Sequence, residues 1–112
     1  MKKVLEGVKV VDFSLAASAP ICSKILSEYG AEVIIVESLT GSTTRTGAPN
    51  SFDFFTSGKR EISVNLKTPE GMEIMRSLIK EADVFQSNFR AKALKKLGLS
   101  YEDVHKLNPG CV

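Results

Sequence analysis

The sequence is poor in several residue types, and each scarcity excludes a class of protein. Its 112 residues contain no tryptophan, one histidine and two cysteines, Cys22 and Cys111. Two cysteines are too few for a disulfide-stabilised secreted scaffold, so we expect a reducing, cytoplasmic location. A single histidine leaves no cysteine and histidine spacing of the kind that binds zinc, and we predict no metal site.

Long apolar runs and an excess of one charge are also absent. No apolar segment approaches the roughly 20 residues that a membrane-spanning helix needs. Acidic residues and glycine follow the N-terminal lysines too early for a signal peptide. The net charge of +2 is too small to favour nucleic acid or a membrane surface as a partner. With 43% hydrophobic and 25% charged residues, the composition is typical of a globular domain.

The order of apolar segments predicts an α/β fold. Strands are expected at 9–13, 31–37, 61–66 and 83–87, and helices at 20–29, 69–82, 93–97 and 101–107. This alternation predicts a Rossmann-like, open and mostly parallel sheet with helices on both faces, in one domain over residues 1–112. The pair Cys111 and Val112 follows a turn signal and resembles the start of another strand, so we expect the domain to continue beyond residue 112.

Residues 38–50 interrupt this alternation. They are rich in glycine, serine, threonine and proline, which predicts a loop. The apolar pair Phe54 and Phe55 follows it, and we expect this pair to dock the loop on the core.

In an open α/β sheet, ligands bind beyond the carboxyl ends of the strands. The loop after the first strand, residues 14–19, lacks the glycines of a dinucleotide-binding fingerprint. Glu37 ends the second strand, where a ribose-binding acid would lie. Without those glycines we interpret it as a solvated acid.

The loop after the fourth strand is rich in cations. Residues 88–96 combine Asn88 and Phe89 with Arg90 and three lysines. Lys59, Arg60 and Lys67 come from a neighbouring strand. These residues could form a cradle for an anionic nucleotide. The same run could equally be a solvated basic helix with Phe89 in the core.

For three residues with reactive side chains we predict a structural or surface role rather than a catalytic one. Cys22 lies in a first helical turn but beside apolar positions, which predicts a small buried thiol. His105 is expected on an exposed helix face. Asp12 lies inside the first strand and is expected to be a hydrogen-bonded structural acid.

Several segments together resemble the class III CoA-transferase family, of the CaiB/BaiF type that includes formyl-CoA and carnitine CoA-transferases. One of them, residues 29–37 (YGAEVIIVE), is similar to a signature of the family. This chain has Ile35 where that signature usually has a lysine. The segments follow family order and spacing over nearly the whole chain: 5–14, 19–20, 29–37, 58–71, 82–90, 97–103 and 107–109.

The resemblance implies that CoA moves from an acyl-CoA to a free carboxylic acid. In the family an aspartate carboxylate attacks the thioester, and mixed-anhydride and aspartyl-thioester intermediates follow. The resemblance places that aspartate beyond residue 112, so this chain holds no catalytic residue and would be inactive alone. It also implies an interlocked homodimer as the full-length state, and coenzyme A as a substrate rather than a tightly bound cofactor.

The resemblance further implies which residues contact CoA. Leu15, Ala16 and Ala17 match the first loop, which lines the thioester, and Ala17 replaces a glutamine of formyl-CoA transferases. This favours a bulkier acceptor than oxalate, such as a 2-hydroxy acid. Ser38 stands where many members hold an arginine. The other matching positions are Val64, Lys67, Asn88, Phe89, Arg90, Ala93 and Lys96.

Two other interpretations stay open. The chain could be a truncated, non-catalytic module that binds CoA or another nucleotide, or a fragment with no independent function.

Overall fold

The computed structural model describes residues 1–112 and contains one parallel sheet. Its strands are β1 (Lys9–Phe13), β2 (Glu32–Glu37), β3 (Arg60–Ser63) and β4 (Val84–Ser87). The order across the sheet is β3-β2-β1-β4, and all three pairings are parallel. Since parallel strands need crossover connections, the helices between them lie on the faces of the sheet. The predicted α/β class and parallel sheet are confirmed.

Six helices accompany the strands: α1 (Ser18–Glu28), α2 (Thr43–Gly47), α3 (Pro49–Thr56), α4 (Pro69–Lys80), α5 (Ala91–Leu97) and α6 (Tyr101–Leu107). None of them has both the length and the apolar character that a membrane crossing requires. Local signals account for several boundaries. Thr68 caps α4 by accepting a hydrogen bond from the Gly71 amide, and Ser100 and Asp103 form a capping box at α6. Gly98 ends α5 in the left-handed conformation.

The core lies mainly between the sheet and α4. Val11 and Phe13 point from β1 to that face, where Met75 and Ile79 of α4 are completely buried. The other face carries a smaller cluster that includes Val10 and Val33, packed against Leu26 of α1. Because successive strand residues point to opposite faces, β1, β2 and β4 contribute to both layers. Helices therefore cover both faces, as predicted.

The prediction of a loop over residues 38–50 is wrong in its second half. Ser42 caps α2 by accepting a hydrogen bond from the Thr44 amide, and Pro49 occupies the first turn of α3. Pro at that position costs no helical hydrogen bond, so it starts a helix rather than excluding one. Phe52 is the buried aromatic of α3, whereas Phe54 is exposed, which corrects the predicted docking pair.

Two element ends also differ from prediction. The third strand ends at Ser63 rather than Leu66, because residues 65–68 turn into the start of α4 through hydrogen bonds to the Asn65 carbonyl. Val112 is not assigned to a strand. Its amide donates to the Asp83 carbonyl and its carbonyl accepts from the Phe85 amide, which is the pairing of a parallel bridge beside β4.

Candidate functional site

The strand order places a crevice at the carboxyl end of the sheet. The chain proceeds from β1 to β2 on one side, while β4 pairs with β1 on the other. The loops after β1 and β4 therefore leave the sheet in opposite directions, and this switch point is where α/β sheets bind ligands. The loop after β1 (residues 14–17) is called the first loop below.

A pocket of about 610 Å³ opens beside this point. This volume falls within the range of small-molecule sites. Five residues singled out from the sequence line it: Leu15, Ser38, Val64, Lys67 and Phe89. The rest of its wall comes largely from residues 39–43 and 65–66, which follow β2 and β3. The pocket is therefore built from the carboxyl ends of three strands and from Phe89 after β4.

The sequence left open whether Phe89 contacts a ligand or packs in the core. Its ring stacks on that of Phe13, with centroids 4.6 Å apart, and it packs against the main core. It also lines the pocket. A half-buried aromatic ring held in this way offers an apolar surface to a ligand without rotating freely.

The other predicted contact residues lie around the pocket rather than in its wall. Ala16 lines a separate cavity of about 30 Å³ beneath the first loop. Arg90 is the N-cap of α5, and it is exposed like Lys96, while Ala93 is half-buried. The structure leaves Ala17 exposed just before α1.

The side chain of Asn88 is hydrogen-bonded to the first loop. Its Oδ1 accepts a hydrogen bond from the Leu15 amide at 2.9 Å, and its Nδ2 donates to the Leu15 carbonyl. Both polar ends of the side chain thus pair with the backbone N–H and C=O of one residue, Leu15, across the switch point. Ala16, which follows, is the only non-glycine residue with a positive φ, at 58°. That conformation is unfavourable for alanine, so the surrounding contacts must hold it.

Glu37 is not a solvated acid, and that interpretation is wrong. Its side chain is 6% exposed, and it accepts hydrogen bonds from the Ser42 amide at 3.2 Å and from Arg45 at 3.0 Å. Arg45 also bonds Glu61 at 2.9 Å and lies over the Phe52 ring. The hydrogen bond to Glu61 and the charge of Glu37 raise the pKa of Arg45. This network fixes residues 38–43 against the pocket.

Asp12 is a buried structural acid, as predicted. Its partner is Lys59, which the sequence suggested for the nucleotide cradle, and that suggestion is wrong because the Lys59 side chain is buried beside Asp12. The carboxylate accepts hydrogen bonds from the hydroxyls of Ser14 and Ser23. Lys59 Nζ lies 3.6 Å from Asp12 Oδ2 and 2.6 Å from Ser23 Oγ. Burial lowers the pKa of Lys59, and the charge of Asp12 opposes this shift.

The two cysteines lie in opposite environments. Cys22 is exposed, so the predicted buried thiol is wrong, whereas Cys111 is buried and burial raises its pKa. The turn of α1 places position 23, rather than 22, against β1, where Ser23 meets Asp12. His105 is exposed as predicted, and its ring stacks on Tyr101.

Comparison with known proteins adds what this geometry leaves unspecified. The sequence model of CoA-transferase family III matches residues 5–112. An (R)-2-hydroxy-4-methylpentanoate CoA-transferase of Clostridioides difficile is 38% identical over 97% of this chain and 30% of its own length. A formyl-CoA:oxalate CoA-transferase of Afipia carboxidovorans is 38% identical over 97% of this chain and 28% of its own.

A solved structure from the same family is also similar to this chain. A CaiB/BaiF family protein from Brucella suis superposes with a TM-score of 0.86 at 35% identity, covering 96% of this chain and 32% of that one. The chain thus spans about 30% of the length of the relatives it matches.

Proposed function

The chain belongs to CoA-transferase family III, and we propose that the complete protein moves CoA from an acyl-CoA to a free carboxylic acid. The observation that carries this proposal is the family match over residues 5–112. The pocket at the carboxyl ends of the strands supports it, because that is where this type of sheet binds nucleotide-like ligands.

In this proposal the chain supplies much of the CoA-binding surface. Apolar pocket residues such as Val64 and Phe89 would contact the uncharged parts of the cofactor, and Lys67 and Arg90 would pair with its phosphates. The remaining proposed contacts are Leu15, Ala16, Ala17, Ser38, Asn88, Ala93 and Lys96. Coenzyme A would enter and leave as part of the substrates rather than stay bound.

The proposed chemistry is a sequence of acyl exchanges. An aspartate carboxylate attacks the donor thioester, forming a mixed anhydride and releasing the CoA thiolate. The thiolate attacks the aspartyl carbonyl, which frees the donor acid and leaves an aspartyl–CoA thioester. The acceptor carboxylate attacks that thioester to form a second anhydride, again releasing the thiolate. Attack of CoA on the acceptor acyl group then gives the new acyl-CoA and restores the aspartate.

We propose that this aspartate lies outside residues 1–112. Three aspartates of the chain have structural partners that argue against such a role. Asp12 is 1% exposed, Asp83 accepts a hydrogen bond from the Lys9 amide at 2.8 Å, and Asp103 belongs to the α6 capping box. Asp53 is exposed on α3, outside the residues that line the large pocket.

The acceptor is proposed to be a small organic acid, such as a 2-hydroxy acid, rather than oxalate. The first loop offers the apolar side chains of Leu15, Ala16 and Ala17 where formyl-CoA transferases hold a glutamine at the third position. The 38% identical relative from C. difficile is named for a branched 2-hydroxy acid, which supports the same choice. The family resemblance is also our basis for proposing an interlocked homodimer, and the two free cysteines for a cytoplasmic location.

The basic residues around α5 provide a test of the binding surface. Replacing Arg90 and Lys96 together by alanine in the complete protein should raise the KM for acyl-CoA about tenfold, since charge-assisted phosphate contacts are lost and 1.4 kcal/mol corresponds to a factor of ten. The kcat should change far less. Steady-state kinetics with varied acyl-CoA measures both.

A matched control removes the same amount of charge from the same helix. Lys92 and Lys95 are exposed on α5 and are not among the proposed contacts. Their double replacement by alanine should leave KM within about twofold. Equal KM values for the two double variants would show that Arg90 and Lys96 form only a solvated face.

A further inference from the structure

Lys59 carries a buried positive charge next to the first loop. Its side chain is 0% exposed, and Nζ donates to the Pro20 carbonyl at 2.9 Å and to Ser23 Oγ at 2.6 Å. The Asp12 carboxylate, whose side chain is 2% exposed, lies 3.6 Å away. Burying charge is costly unless it is paired and hydrogen-bonded, so these partners are what keeps the ammonium group inside.

The partners of this ion pair mark both ends of the first loop. Ser14, at the beginning of the loop, donates its hydroxyl to Asp12. Pro20 and Ser23, in the first turns of α1, accept from Lys59. Between them lies Ala16 with its positive φ. Asn88 holds Leu15 from the opposite side, through both polar ends of its amide.

A buried ion pair contributes little net free energy to the stability of a fold. Replacement of such a pair by well-packed apolar side chains of similar volume is often neutral or stabilising, whereas its hydrogen bonds impose a specific geometry. Here every one of those hydrogen bonds ends on the first loop, on the turns of α1 that follow it, or on the strand that precedes it. The hydrogen bonds of Lys59 and Asp12 therefore constrain the backbone at both ends of the first loop.

We propose that Lys59, paired with Asp12, is a positioning residue for CoA transfer, which holds the first loop in the strained shape that its ligand requires. Neither side chain needs to touch the substrate, since both act through Ser14, Pro20 and Ser23. This inference rests on the proposed function for its ligand, but the ordering of the loop is a property of the ligand-free protein.

The test replaces Lys59 by methionine in the complete protein, which removes the charge and keeps an unbranched chain. Amide hydrogen exchange over residues 14–19 without ligand should become at least tenfold faster, while that of β1 and β2 stays unchanged. The KM for acyl-CoA should rise about tenfold, because a loop that samples other shapes binds in proportion to the competent fraction.

Two further variants make the result decisive. Lys24→Met is the matched control. Lys24 lies on α1, the helix whose first turns bond Lys59, and its side chain is 12% exposed. It bonds Glu28 and Ser57 but nothing in the loop. The Lys24→Met variant should leave loop exchange and KM unchanged. Asp12→Asn with Lys59→Met removes both charges, so no lone buried carboxylate opposes folding. This double variant should melt near the wild type and still show fast loop exchange.

The outcomes separate this inference from the proposed function. Wild-type loop exchange in a folded Lys59→Met or double variant would overturn the positioning role, whatever the activity. Failure of both variants to fold would also overturn it, because the pair would then serve stability. Fast loop exchange in Lys59→Met, together with a wild-type protein that transfers no CoA, would instead support the ordering of the loop by Lys59 and contradict the proposed function.

Discussion

Replacing Gly71 by alanine is expected to lower the free energy of unfolding by about 3 kcal/mol, at the upper end of the cost of inserting a methyl group into a packed site. A Cβ at Gly71 would lie 1.9 Å from the Asn65 carbonyl oxygen and 2.6 Å from its carbon. That carbonyl cannot move aside easily, because it accepts hydrogen bonds from the Thr68 hydroxyl at 2.9 Å and the Thr68 amide at 3.2 Å. Chemical denaturation followed by circular dichroism measures the loss.

Gly47 supplies the control for this substitution. It also lies in a helix, α2, but a Cβ there would meet nothing within 4 Å. Gly47→Ala should therefore be neutral or slightly stabilising, since alanine is the better helix former. If Gly71→Ala unfolded at the same denaturant concentration as Gly47→Ala, the close approach of α4 to residue 65 would be contradicted.

Replacing Met75 by alanine is expected to cost about 2–5 kcal/mol, the range for truncating a large buried side chain. Met75 is 0% exposed and lies in the main core between α4 and the sheet. Its removal loses buried apolar surface and leaves a cavity that the surrounding strands can close only in part. The change in denaturation midpoint at constant slope gives the loss.

The neighbouring residue on the same helix is a matched control. Ile74 is 44% exposed, so Ile74→Ala removes a similar volume from the outer face of α4 and should cost less than about 1 kcal/mol. Similar losses for the two variants would mean that α4 does not present the face described here to the core.

Much of the fold could be predicted because its signals are local. The Val-rich strand before residue 14, the cap at Thr68 and the capping box at Ser100 each depend on neighbouring residues. Such signals fix where elements begin and which face is apolar, and the alternation of strands and helices then leaves few topologies. The parallel sheet was predictable for that reason.

The buried polar contacts were not predictable, because they depend on how separate elements pack or on a helix that was predicted as a loop. Lys59 meets Asp12 across 47 positions, 59 minus 12, and Arg45 reaches back to Glu37 from a helix that the glycine and threonine content had suggested was a loop. One position of helical phase decided that Ser23 rather than Cys22 would be buried. No periodicity in the sequence carries this information at a helix start.

The same distinction applies to the candidate site. Topology places the ends of β1 and β4 together, so the participation of Leu15 and Phe89 in one region follows from strand order. The pairing of Asn88 with the backbone N–H and C=O of Leu15 and the positive φ of Ala16 depend on local geometry that only the folded chain shows. These contacts give the loop that carries several of the predicted ligand residues a defined shape.

The most direct test of the central claim is a transfer assay on the complete protein. An acyl-CoA is supplied with a panel of free acids that includes 2-hydroxy-4-methylpentanoate and oxalate, and thioesters are separated by chromatography over time. We expect a new acyl-CoA to form in equal amount to the donor acid released, and faster with the branched 2-hydroxy acid than with oxalate. Saturable binding of CoA without formation of any new thioester, across the whole panel, would contradict the claim and indicate a binding module instead.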